Sequence, residues 1–282
     1  MSTAQILALG AVAGFTIFLG LPLGRVRNSD ARLRAALSAL ATGILVFLLW
    51  DVLSHGVEPV EGALTAASDG HGSWGRFAWL ATLLAGGFGA GTMSLVYYDR
   101  WMGRARQSTL VGPGAAAVDE FQSRSRIGAL TPGRRLALLI ATGIGLHNFG
   151  EGLAIGQSAA ANEVSLALVL IIGFGLHNTT EGFGIVGPMS GDAERPSWGF
   201  LALLGLIGGG PTFVGTLIGQ AWVSEALQVG FFAVAAGSIL YVVIELLHVN
   251  RQFGMKTLVT WWVLAGVFLG FATDFVLVAA GA

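Results

Sequence analysis

The chain has 282 residues and no cysteine. That excludes disulfide staples and any thiolate metal site, and it leaves the redox compartment unread. Charge is scarce as well. Asp, Glu, Lys and Arg make up 11% of the residues, against about 25% in ordinary soluble domains. A net charge of −1 gives no basic footprint for nucleic acid. Neither HExxH nor GxSxG occurs, so nothing nominates the general base or nucleophile of a membrane enzyme. No enzymatic activity and no catalytic cofactor are expected.

What fills the space is apolar. Hydrophobic residues reach 54% and glycine numbers 43, with a mean hydropathy of +0.72. Abundant glycine suits closely packed membrane helices. About 20 apolar residues cross a bilayer, and eight such runs occur: 5–24, 34–56, 75–99, 134–160, 163–189, 197–220, 226–249 and 257–280. The expectation is an all-α integral membrane protein of eight transmembrane helices. It forms a single domain over 1–282, in a cell membrane, with the lipid bilayer as its first partner. The opening "MSTAQ" lacks a basic n-region, so the first run is expected to be a true span and not a cleaved signal. The one sizeable connection, 100–133, "RWMGRARQSTLVGPGAAAVDEFQSRSRIGALTPG", is expected to be a flexible loop.

Basic residues orient the spans, because Lys and Arg stay on the cytoplasmic side. Arg25, Arg27, Arg32 and Arg34 surround the first connection, and Arg100, Arg104, Arg106, Arg124, Arg126, Arg134 and Arg135 the third. Arg195 lies in the fifth connection, and Arg251 and Lys256 lie in the seventh. Only Arg76 falls elsewhere. Both termini are therefore expected on the extracytoplasmic side. Trp74, Trp79, Trp101, Trp198, Trp222, Trp261 and Trp262 fall near span ends, where an aromatic belt belongs.

Against this background two stretches stand out: "GLHNFGEGLAIG" at 145–156 and "GLHNTTEGFGIVG" at 175–187. His147 and Glu151 are four residues apart and share a helix face, with Asn148 one position round. His177, Asn178 and Glu181 repeat the pattern in the next span. Ionisable residues inside spans are costly and face a cavity or a partner. One such pair reads equally as a structural hydrogen bond. Two at the same spacing in adjacent helices can assemble a four-ligand site of two imidazole nitrogens and two carboxylate oxygens. The Asn amides could add ligands or orient the others. Such a set admits Zn, Fe, Mn or Cd without choosing sharply. A carrier, a cation channel and a membrane metalloenzyme could all use these ligands.

At these residues the sequence resembles the ZIP (Zrt/Irt-like) family of divalent metal transporters, whose fourth and fifth of eight spans carry HNxPEG-type motifs. The resemblance implies His147, Asn148, Glu151, His177, Asn178 and Glu181 as transport-site ligands, with a divalent metal ion, zinc foremost, as substrate. It also implies a 3+2+3 helix arrangement, an inverted repeat of the first and last three spans, and elevator-like movement. A homodimer is one possible assembly, which the sequence does not decide. The motif departs from the family pattern at Gly150 and Thr180, where proline is usual. Gly150 and Gly152 are expected to loosen the fourth helix in its place. In "GGPTFVG" Gly210 stands where two-metal members carry a carboxylate, and Asn178 where they carry Asp. One ion at a time is expected. The long third connection has no histidine, unlike the His-rich loop of many relatives.

Other polar residues offer a path. Asp51 and His55 lie near the outer end of the second span, a position that also fits a solvated helix end. Glu245 and His248, in "YVVIELLH", share a face near the inner end of the seventh. Asp274 lies near the outer end of the last span.

Overall fold

The computed structural model describes residues 3–25, 30–107, 130–160, 164–192, 194–221 and 224–280. Among the described residues every long element is a helix and no strand occurs. The first span, α1, runs Thr3–Phe15 and continues beyond Thr16 as a helical turn, Ile17–Gly20, and a 3₁₀ segment, Leu21–Arg25. The others are α2 (Ala31–Ser68), α3 (Trp74–Gln107), α4 (Pro132–Ala160), α5 (Val164–Val186), α6 (Trp198–Ala221), α7 (Glu225–Gln252) and α8 (Lys256–Ala280). All except α5 are long and apolar enough to cross a membrane among the described residues. The N-terminal side chains of α5 lie outside that description.

Two helices outrun the expected spans. α2 continues through Pro59 to Ser68, twelve residues past Gly56. At about 1.5 Å per residue that extension projects roughly 18 Å. Its Glu, Leu and Ala residues are good helix formers, so it stays helical where it stops being apolar. α3 likewise continues to Gln107, so the start of the 100–133 connection is helical. Of the rest, 108–129 lies outside the described residues, as does Trp222, and Pro132 and Gly133 already begin α4.

Burial separates centre from rim. The most apolar stretch of α4 is 72% buried, against 17% for α3 and 11% for α8. The core joins Ile140 and Ile144 of α4, Leu48 of α2, Ile185 of α5, Leu204 of α6 and Ile239 of α7. The outside is apolar too, with Leu206, Leu217, Phe268 and Phe275 exposed. An apolar shell of that extent marks a membrane surface. Arg134 pairs with Asp192 at 3.7 Å and Arg135 with Asp99 at 2.7 Å, which places these basic residues at one end of the bundle. Arg76 meets Glu225 at 2.7 Å at the other.

Glycine sets the helix contacts. α4 packs on α6, α5 on α1, α3 on α7 and α2 on α8. A Cβ on Gly91 of α3 would strike the Val234 carbonyl, and one on Gly237 of α7 the Phe88 carbonyl. Gly266 of α8 faces the Leu40 carbonyl in the same way, and Gly43 of α2 the Val263 carbonyl. At the α4–α6 contact Gly152 meets the Thr212 carbonyl and Gly215 that of Phe149. At the α5–α1 contact Gly182 meets the Ile17 carbonyl and Gly20 that of Thr179. Gly14 of α1 and Gly209 of α6 face each other's carbonyls. Backbones this close leave no room for side chains.

Candidate metal site

The two motifs lie within unbroken helices, in the middle of α4 and toward the C-terminal end of α5. Gly150 and Gly152 do not interrupt α4, contrary to the loosening expected. With no proline the i→i−4 ladder has no missing donor. Gly152 serves close packing on α6, and a Cβ on Gly150 would press on the Phe232 ring.

His147, Asn148, Glu151, Asn178 and Glu181 are all buried, none more than 4% exposed. His147 Nε2 lies 3.2 Å from Glu151 Oε1 and 4.0 Å from Glu181 Oε1. Side chains from both helices thus meet at one point. The side chain of His177 lies outside the described residues. Ligand atoms on a tetrahedral zinc at about 2.0–2.1 Å sit about 3.4 Å apart, which the first distance matches and the second slightly exceeds. Among the described residues no group of three or more His, Cys, Asp or Glu is arranged to hold an ion.

The asparagines do two jobs. Asn148 Nδ2 donates to Glu181 Oε2 at 3.1 Å and to the Gly208 carbonyl at 3.0 Å. It fixes the carboxylate of α5 and ties α4 to α6. Asn178 Nδ2 donates to the Ala13 carbonyl at 3.0 Å, tying α5 to α1. Since these partners only accept, each amide oxygen must point the other way. Asn148 Oδ1, Asn178 Oδ1 and Glu151 Oε2 are buried oxygens without a hydrogen-bond partner. Buried acceptors left unmet call for an explanation such as an ion or water.

Sequence reasoning missed one contributor, the backbone of α1 around Thr16. There Thr179 Oγ1 donates to the Gly175 carbonyl at 3.0 Å and lies 3.3 Å from the Thr16 carbonyl, and Thr16 Oγ1 bonds back to Ala13 O at 2.6 Å. Backbone acceptors have no residue signature.

The outlying candidates divide. Asp51 lies within electrostatic reach of His55, His147 and Asp274, and its charge is felt by Glu151 and Glu181. His55 Nδ1 is 3.7 Å from Asp51 Oδ1. Glu245 and His248 are not paired among the described residues. Glu245 acts on Tyr241 beside Asp99 and Arg135, and His248 lies 3.0 Å from Gln252. Gly210 points away from the core. It sits in line with exposed Leu206, Phe213 and Leu217, with open space where a Cβ would go. A carboxylate there would face lipid, so Gly210 does not decide whether the buried site can hold a second ion.

The ZIP Zinc transporter family model matches residues 112–274, more than half of the chain. The chain belongs to the ZIP zinc transporter family. No curated protein matches it. Membership implies divalent metal-ion transport, and members of the family are transporters, not enzymes. In this ZIP protein the matched stretch takes in both motifs, α4–α7 and most of α8.

Proposed function

We propose that this ZIP protein carries a divalent transition-metal ion across the membrane towards the cytoplasm. Zinc is the foremost substrate, with iron, manganese and cadmium as others. The ion is held by His147, Asn148, Glu151, His177, Asn178 and Glu181. The observation that carries this reading is the set of buried, unmet oxygens on Asn148, Asn178 and Glu151, next to His147 and Glu181, deep in an otherwise apolar bundle. Burial without a partner costs about 1–3 kcal/mol per neutral group, and a bound cation removes that cost. Metal entry would part His147 from Glu151 and take both as ligands. The basic end of the bundle is cytoplasmic, so both termini face out. Asp51, His55 and Asp274 line the approach.

The recurring contacts support a 3+2+3 arrangement with an inverted repeat. Asn178 to Ala13 and Asn148 to Gly208 are equivalent bonds. The Gly91–Gly237 and Gly43–Gly266 contacts are equivalent, as are Gly152–Gly215 and Gly182–Gly20. Each pair is generated by exchanging α1, α2, α3 and α4 with α6, α7, α8 and α5. Alternating access would then move α4 and α5 with their paired helices in an elevator-type carrier, working as a homodimer. A channel is the second reading, since the same ligands could line a pore.

Uptake of a divalent panel into proteoliposomes tests the proposal. Wild type should take up zinc with saturation at low concentration and without single-channel events. Glu181→Ala should abolish uptake while the protein still folds. Equal flux in both would overturn the site.

A further inference from the structure

α7 and α8 are joined by a short turn at Phe253–Met255, where Gly254 adopts φ +68. Yet among the described residues the two helices hardly touch; α8 leans on α2, and α2 packs on α7. The wedge between them is a cavity of about 730 Å³, open at the basic end. Leu247, Val259, Val263 and Leu264 give it apolar walls, and Arg251 and Lys256 line it as well.

Its polar feature is Asn250, which lines the cavity and is 2% exposed. Asn250 Nδ2 donates to Thr42 Oγ1 at 2.7 Å. The Thr42 hydroxyl spends its own proton on the Ser38 carbonyl at 2.9 Å, so it can only accept from Asn250. That fixes the amide, and it leaves Asn250 Oδ1 as a buried acceptor with no partner. An occupant must therefore bring a hydrogen-bond donor to Asn250, negative charge to the two cations, and apolar length for the walls.

We propose that this wedge binds an anionic phospholipid whose headgroup carries a hydroxyl. The phosphate lies between Arg251 and Lys256, the hydroxyl donates to Asn250 Oδ1, and an acyl chain runs along Val259, Val263 and Leu264. Basic pockets between helices at a membrane face hold acidic headgroups in this way. The proposal rests on the chain spanning a bilayer and is independent of the metal site.

The test uses the full chain in detergent with equal amounts of dioleoyl phosphatidylglycerol and dioleoyl phosphatidylcholine, read by native mass spectrometry. Wild type should retain one phosphatidylglycerol in preference. Arg251→Gln with Lys256→Gln should weaken retention by about fivefold per charge removed, about 25-fold together. Arg195→Gln, at the same end but outside the cavity, should leave the preference intact. Thr260→Trp fills the wedge without changing charge and should expel the lipid. Equal retention of both lipids by wild type, or an unchanged preference in the double variant, would overturn the proposal. So would displacement by free glycerol phosphate at equal concentration, which would reveal an anion site needing no acyl chain. The double variant and the competition decide the matter even if Thr260→Trp fails to fold.

Discussion

Replacing Asn148 with alanine removes the side chain that links the two motif helices. Two acceptors lose their donor: Glu181 Oε2 at 3.1 Å and the Gly208 carbonyl at 3.0 Å. A bond to a charged acceptor contributes about 1.5–3 kcal/mol, and a buried carbonyl left unmet costs about 1–3 kcal/mol. Together these give roughly 2.5–6 kcal/mol, toward the low end if water enters the space. The effect on zinc should be separate and specific. Glu181 loses the group that orients it, and outer groups of that kind are worth about 10–100-fold in metal affinity. The site also loses Asn148 Oδ1, so the upper part of that range is expected. The assay is calorimetric zinc titration of wild type and Asn148→Ala, each first shown to be helical and monodisperse. A folded variant that binds zinc within threefold of wild type would show that Asn148 neither orients Glu181 nor meets the ion.

Further outcomes follow from the same structure. Zinc affinity should fall as pH drops from 7 to 5.5. Metal binding competes with protons for the imidazole and carboxylate ligands, so metal entry should release protons; zinc-binding heat that does not vary with buffer ionisation enthalpy would show that no proton is released. Gly209→Leu should destabilise the bundle by about 1–3 kcal/mol, because its Cβ would meet the Gly14 carbonyl. The adjacent Gly210→Leu has open space and should be neutral or slightly stabilising. Thermal unfolding that ranks the two alike would count against the α1–α6 contact. Tags at Met1 and Ala282 should both label from outside intact cells, and protection of both would reverse the orientation.

The eight helices were legible because a bilayer demands long apolar runs, and seven are confirmed as long and apolar enough among the described residues. The ends were less legible. Hydropathy reports what surrounds a helix, not whether the chain is helical, so the extension of α2 past Gly56 to Ser68 went unread. The motif residues were legible through their cost: His147, Glu151 and Glu181 are conspicuous in an apolar run. Their supports were not. Ala13 and Gly208 act through backbone carbonyls, which carry no residue signature. Glycine misled in a physical way. At Gly152 it reads as a weak point in a helix, but it is where α6 comes closest. Gly210 looked like a lost ligand, yet it faces outward with Leu206 and Leu217.

Anomalous diffraction at the zinc edge from zinc-loaded crystals tests the central claim most directly. One peak per chain is expected between α4 and α5, about 2.0–2.2 Å from carboxylate oxygens of Glu151 and Glu181 and from imidazole nitrogens of His147 and His177. A second strong peak sharing Glu151 and Glu181 would refute single-ion binding. A lone peak elsewhere, with His147 still resting on Glu151, would contradict the site itself.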